Sequence, residues 1–170
     1  MICPSCGHEN IEGTDRCDNC MTGLQKLDVP QPDGARGLAR SVMEDNLGQL
    51  EQEPTVAVSS NTPALEVVRK MTSARSGCAL IVDEHKLVGI FTEHDVLHRL
   101  FGEAASPKDV AVKDLMSPNP ESLRETDSVA LALSKMSLGR YRHIPVARND
   151  GSYSVTSIKS VLTYIAREEW

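Results

Sequence analysis

The second part of this chain repeats the first. Displaced by 65 residues, positions 62–100 lie over 127–165 without a gap, and Lys70, Met71, Arg75, Val96 and Leu97 meet Lys135, Met136, Arg140, Val161 and Leu162. Two copies do not build a solenoid, which needs three or more stacked repeats; they build a pair packed around a pseudo-twofold axis. Each copy reads strand–helix–strand–strand–helix. In the first, residues 55–58 predict a short strand, and Thr62-Pro63 opens a helix with Thr as N-cap and Pro in the first turn. Leu65, Val68 and Met71 follow at helical spacing. Residues 78–82 read as a buried strand, 83–86 as a turn, 87–91 as a strand, and the closing helix turns Val96, Leu97 and Leu100 inward. The second copy runs from a strand at 121–123 to a helix from Asp127 carrying Val129, Ala132, Leu133 and Met136. A strand at 143–147, a turn at Asn149-Asp150-Gly151, a strand at 153–156 and a helix with Ile158, Val161, Leu162 and Ile165 inward complete it. A βαββα unit of this size leaves an apolar sheet face in water, so the expected fold is an α+β pair of half-modules packed on each other. Aromatics are only 4%, so the core is aliphatic, and mid-strand Cys78 reads as a small core residue rather than a nucleophile.

At 170 residues the chain has room for one domain and a small appendage. The division read from the sequence is a cysteine-rich head at 1–23, a linker at 24–36 with Pro30, Pro32 and Gly34, a first half at 37–104 and a second at 105–170. A short helix is expected over 35–47, with Leu38, Val42 and Met43 inward. The formal net charge of −6 disfavours work on phosphate backbones or anionic membranes. No unbroken apolar run is longer than that at 78–82, far short of the ~20 residues that span a bilayer. Met1 is followed at once by Cys3-Pro4-Ser5-Cys6, with neither a charged nor an apolar leader region. These features predict a soluble, cytoplasmic protein with no membrane partner.

Four of the five cysteines form two C-x-x-C pairs, Cys3/Cys6 and Cys17/Cys20, ten residues apart. A tetrahedral metal takes four soft ligands, two from each knuckle. Gly7 and Gly23 stand where such turns want positive φ. Two disulfides would need an oxidising compartment, and a thioredoxin-like pair would be single and set in a βαβ unit. Zn2+ bound by all four thiolates is the favoured reading, with iron the alternative for the same ligands. His8 reads as a surface residue. This stretch resembles the short zinc ribbons at the termini of many prokaryotic proteins. With Glu9, Glu12, Asp15 and Asp18 against Arg16 alone, and no aromatic for base stacking, a nucleic-acid role ranks last and a structural or protein-binding one first.

Two segments carry polar chemistry. In Gly89-Ile90-Phe91-Thr92-Glu93-His94-Asp95 a strand ends and a helix begins. Thr92 and Asp95 there read either as a capping box needing no ligand or as a ribose site, the carboxylate accepting from vicinal hydroxyls and the helix start serving polar or phosphate oxygens. In Arg140-Tyr141-Arg142-His143-Ile144-Pro145, strand alternation would send Arg140 and Arg142 to one side. That cluster reads as a solvated strand edge or as a phosphate clamp of guanidinium donors.

The repeat, Gly-Ile-Phe-Thr-Glu-His-Asp at 89–95, Arg-His-Ile-Pro-Val at 142–146, and Met-Ser-Pro-Asn-Pro at 116–120 together resemble a tandem pair of CBS domains, a Bateman module. The resemblance covers residues 41–167. It implies a pseudo-symmetric disc with two clefts, many of which hold adenosine nucleotides. Carried over, Thr92 and Asp95 hold ribose; Arg140, Arg142, His143 and Pro145 flank base and phosphates; and residues 117–121 line the base pocket. The implied ligands are AMP, ADP, ATP or S-adenosylmethionine. The second copy departs from the pattern. Ser157 keeps a hydroxyl, but Ser160 stands where the carboxylate belongs, and residues 75–78 offer one cation, so the second cleft is expected to be weak or empty.

No P-loop, dinucleotide fingerprint or activated nucleophile is present, and four cysteines close the metal site to substrate. The reading is therefore not an enzyme but a regulatory sensor, a homodimer that passes a ligand-dependent state to a protein partner. Its rivals are an interaction scaffold without a ligand and a metal- or redox-responsive module acting through the four cysteines.

Overall fold

The computed structural model describes residues 8–11, 14–21, 24, 37–51, 53–101 and 109–167. Helix α1 (Leu38–Glu44) and a 3-10 turn (Leu47–Gln49) lead into the first half, β1 (Val56–Val58), α2 (Ala64–Ala74), β2 (Cys78–Asp83), β3 (Lys86–Thr92) and α3. Helix α3 begins as one α-turn (Glu93–Asp95) and continues as a π-helical stretch (Val96–Leu100). A second 3-10 turn (Val112–Asp114) and β4 (Ser117–Pro118) lead into the second half, β5 (Leu123–Arg124), α4 (Val129–Gly139), β6 (His143–Ala147), β7 (Tyr153–Ser157) and α5 (Ile158–Arg167). The repeat is thus realised element by element; α2 and α4 superpose in sequence to the residue, and each ends on an arginine in the left-handed region, Arg75 and Arg140, both at φ 54.

In each half a parallel pair is joined by its crossover helix and followed by a hairpin, giving sheets ordered β1-β2-β3-β4 and β5-β6-β7. The β2–β3 hairpin closes through Glu84 and His85, both at positive φ (48 and 64), the geometry of a type I′ turn whose twist matches that of its strands. Helix α2 starts one residue later than expected. Its N-cap is Pro63, and the Ala64 N–H is satisfied by the Val110 carbonyl at 2.9 Å, so Thr62 is not needed as a cap. Helix α4 starts at Val129 rather than Asp127, because the Ser128 hydroxyl takes the Leu131 N–H while the Asp127 carboxylate turns back to the Arg124 N–H. The helix expected over 35–47 is confined to α1, since Asp45 and Leu50 turn extended on either side of a separate turn.

The two lead-in segments are exchanged between the halves. Leu47 and Gly48 donate their N–H groups to the carbonyls of Asp127 and Glu125, and Val129 donates to Asp45. Val112 and Lys113 donate to Thr62 and Ser60, and Ala64 to Val110. These are the same three bonds, related by the repeat. Leu47 and Leu50 accordingly lie in the core of the second half with Leu123, Val129, Ile144 and Val161. Val112 and Leu115 lie in that of the first with Val67, Ile81, Phe91 and Leu100. Leu47 and Val112 are fully buried, a contribution of about 1.5–3 kcal/mol each. A third cluster, Cys78, Leu80, Ile90 and Val155, joins strands of both halves.

The inward assignments shift on three helices. On α2 the buried stripe is Ala64, Val67 and Met71, with Leu65 and Val68 packed at its margin. Leu97 and Leu162, both expected inside, are 68% and 59% exposed. Each follows a residue that takes the inner stripe, Val96 or Val161, and one helical step turns a side chain by about 100°.

At the head, Met21 donates its N–H to the Cys17 carbonyl (2.9 Å), Leu24 to that of Asp15 (2.9 Å), and Asp18 to the Asn10 side chain (2.9 Å). Cys17 and Leu24 are fully buried against each other, so Leu24 belongs to the head rather than to the linker. Positive φ falls on Met21 (φ 60). Cys3, Cys6, Gly7, Gly23 and residues 25–36 lie outside the described residues.

Candidate functional site

Strand β3 ends in an extended Thr92, and its side chain and that of Asp95 close a reciprocal cap. Thr92 Oγ1 accepts the Asp95 N–H (3.4 Å), while Asp95 Oδ2 accepts from Thr92 N–H (2.9 Å) and from the Thr92 hydroxyl (2.8 Å). Asp95 is only 4% exposed. One turn on, Arg99 Nε stands 3.5 Å from Asp95 Oδ1, and Arg99 Nη1 donates to the carbonyls of Leu115 (3.0 Å) and Met116 (2.8 Å). The carboxylate is therefore tied through one guanidinium to the segment entering the second half. That segment continues as β4, paired with β3 at Gly89 and Ile90. A Cβ on Gly89 would sit 2.1 Å from the Met116 sulfur, so a larger residue there would have to displace that side chain. Beyond β4, Asn119 (φ 47) donates to the Val88 carbonyl, and Glu121 is held by Tyr141 Oη (3.0 Å) and Lys135 Nζ (2.6 Å). Residues 117–121 thus bridge the two halves, running along β3 from Ile90 toward Val88 and away from its Thr92 end.

The basic cluster is divided. Arg140 is the left-handed cap of α4 and exposed, so it does not share a strand face with Arg142; α4 runs on to Gly139 and β6 begins only at His143. Arg142 is exposed and its carbonyl takes the Ile158 N–H (2.9 Å), as the Gly77 carbonyl takes the Glu93 N–H (3.1 Å). Pro145 is buried within β6, opposite Val155. His143 is the member that reaches the first half. Its Nε2 lies 2.7 Å from the point where a Gly77 Cβ would be, and the Glu93 carboxyl carbon lies 3.5 Å from the same point. Burial holds the imidazole below its ordinary range and Arg142 adds to the shift, against the opposing pull of Glu53 and Glu93. The Cys78 thiol, in the same surroundings, is pushed up to about 12, chiefly by burial. It is a core group without nucleophilic character at neutral pH. Among the described residues no hydrogen bond or ion pair joins Arg140 or Arg142 to Thr92 or Asp95.

At the second strand–helix junction Ser157 and Ser160 are 2% and 5% exposed. Ser157 Oγ accepts the Ser160 N–H (3.1 Å) and lies 3.3 Å from Ser160 Oγ. Ser157 Oγ also donates to Glu53 Oε1 at 2.5 Å. A carboxylate is therefore present where the sequence has none locally. Two side chains that complete these junctions are not singled out by the sequence. Arg99 carried a signal, its four-residue spacing from Asp95 on a predicted helix. Glu53 carried none, being 104 residues from its partner.

Among the described residues no group of three or more His, Cys, Asp or Glu side chains is placed to hold a metal ion. Of the four cysteines read as ligands, Cys17 is buried and Cys20 exposed, and Cys3 and Cys6 lie outside the described residues.

Two interleaved βαββα halves, each ending its hairpin in a capped strand–helix junction, define a class, the paired βαββα module. The family model for the CBS domain matches residues 40–102 and 112–167, and the chain belongs to the CBS-domain family. A similar curated protein, CBS domain-containing protein CBSCBSPB1 of Arabidopsis thaliana, is 34% identical over 111 residues, 65% of this chain but 19% of that protein. The chain thus spans about a fifth of the length of that relative. Among solved structures, the CBS domain pair of protein MJ0100 in complex with 5′-methylthioadenosine and S-adenosyl-L-methionine has a TM-score of 0.62 at 22% identity, covering 71% of this chain and 98% of the other. The CBS domain protein PAE2072 from Pyrobaculum aerophilum, complexed with AMP, has a TM-score of 0.60 at 22% identity, covering 72% and 99%. These likenesses carry the fold.

Proposed function

We propose that the chain is a non-catalytic regulatory module that binds an adenosine nucleotide or S-adenosylmethionine in the cleft between its halves, with Thr92 and Asp95 on the ribose and Arg142 and His143 toward base and phosphates. The observation that carries the reading is the Asp95–Arg99–Leu115/Met116 relay. A diol that takes up Asp95 Oδ1 competes with Arg99, and Arg99 in turn holds the lead-in of the second half. Ligand binding is thereby converted into a change in how the halves are tied. The reading extends to a cytoplasmic homodimer, supported by Leu97, Phe101 and Leu162, which present apolar surface on or beside the closing helices. It extends also to one structural Zn2+ held by Cys3, Cys6, Cys17 and Cys20, which metal analysis of the purified protein would check at one zinc per chain. No helix of the described residues is long and apolar enough to cross a membrane.

One observation favours a second reading, a scaffold without a ligand: both Asp95 oxygens are already engaged. Thermal unfolding against AMP, ADP, ATP, S-adenosylmethionine and GTP, beside Asp95→Ala, separates the two. A ligand at a hundred times its Kd adds about 2.7 kcal/mol to the native state, several degrees at this size. A shift with one ligand that vanishes in Asp95→Ala supports the sensor. No shift with any ligand, in a protein that melts cooperatively, leaves Thr92 and Asp95 as a helix cap.

A further inference from the structure

The two strand–helix junctions carry the same chemical pair from different sources. In the first, the Thr92 hydroxyl donates to Asp95 three residues on, at 2.8 Å. In the second, the Ser157 hydroxyl donates at 2.5 Å to Glu53, which belongs to the lead-in of the other half. Ser157 and Ser160 are buried, so a hydroxyl there without an acceptor would cost stability, and Ser160 has no carboxylate to offer. We propose that Glu53 is the internal ligand of the second cleft: its carboxylate supplies the acid that Ser160 lacks, closes that cleft to exogenous ribosyl ligands, and latches the first half's lead-in to the second half's junction.

The electrostatic surroundings agree. Glu53 and Glu93 are the carboxylates felt by both Cys78 and His143, and Arg142 is the opposing cation at His143. Glu53 thus acts on groups of both halves, as a tie between them requires. The latch also explains an asymmetry in the repeat. Helix α3 opens on its own capping box, whereas the α5 junction takes its acid from 104 residues away. The first cleft is left to sense, and the second becomes a fixed tie. This rests on the proposed function only where ligand stoichiometry is concerned; the tie itself is a property of the chain.

The test has two arms. In the first, calorimetric titration with AMP and with S-adenosylmethionine is run on the wild type, Ser160→Asp, and Glu53→Ala/Ser160→Asp. The expected stoichiometries are one, one and two, because the restored acid opens a second site only once Glu53 is gone. Two sites in the wild type, or in Ser160→Asp alone, overturn the proposal. In the second arm, urea unfolding of Glu53→Ala, Ser157→Ala and their double variant needs no ligand. Each single substitution is expected to raise the unfolding equilibrium constant about tenfold, and the double no more than either alone. If the double multiplies the two effects, the latch does not exist. Absence of binding in every protein together with a non-additive cycle removes the sensor reading and keeps the latch.

Discussion

Gly77 lies against His143 of the other half with no room for a side chain, and replacing it with alanine measures that contact. The new methyl would lie 2.7 Å from His143 Nε2 and 3.0 Å from Cε1, against the 3.4 Å at which ordinary contact begins. The ring must retreat by about 0.7 Å, or β6 must move with it, an overpacking cost of about 1–3 kcal/mol. The Gly77 backbone is not in the positive-φ region, so alanine also stiffens the unfolded chain and returns about 0.4–1 kcal/mol. The net loss is about 1–2 kcal/mol, or roughly 3–6 °C in Tm for a chain of this length. Urea unfolding of Gly77→Ala in the wild type and in a His143→Ala background is the assay. With the imidazole gone the methyl has space, and the same substitution then costs nothing or stabilises by up to about 1 kcal/mol. Equal cost in both backgrounds would refute the argument, because the clash would then lie with something other than His143.

Titration of the same histidine gives a second expectation. Its folded value lies below the ordinary 6.5, so above that pH both states are neutral and the ring contributes nothing. As pH falls below 6.5 the unfolded chain takes up a proton that the folded ring resists, and stability declines until the folded ring is itself protonated. His143→Asn should flatten the stability profile over that window, and an unchanged slope would place the titration elsewhere. Thr156 is fully buried and its hydroxyl has no hydrogen-bond partner among the described residues. Thr156→Val keeps the shape and removes the orphan, so the urea midpoint should rise by the equivalent of about 1–2 kcal/mol; a fall would mean that the hydroxyl is satisfied in solution. The Cys78 thiol, at about 12 and 1% exposed, should resist iodoacetamide at pH 8 until the chain unfolds, and fast labelling of the native protein at Cys78 would contradict its burial.

How far the sequence foretells this molecule depends on the range of the interaction. The repeat, the strand at 143–147 and the Thr92/Asp95 cap are written in local periodicity and in spacings of three or four residues, and they are where the residues place them. Arg140 reads as the start of a strand in the sequence because only the length of α4, which runs to Gly139, decides that it is a helix cap. The inward assignment of Leu97 and Leu162 failed because two adjacent apolar residues cannot both face in, and which one does is settled by the sheet beneath. Glu53 was invisible because no local pattern points 104 residues ahead. The exchange of lead-ins was hidden likewise: residues 47–50 precede the first half in the chain while their apolar side chains fill the core of the second.

That exchange makes each half an incomplete object. A fragment cut at the boundary suggested by the repeat, within 102–108, would keep Leu47 and Leu50 with nothing to fill and would lack the Val112 and Leu115 that plug its own core. The natural unit of excision is therefore not the repeat but the interlocked pair. Two fragments mixed after such a cut should recombine into one particle rather than persist as two small domains, much as two clasped hands hold where one open hand cannot.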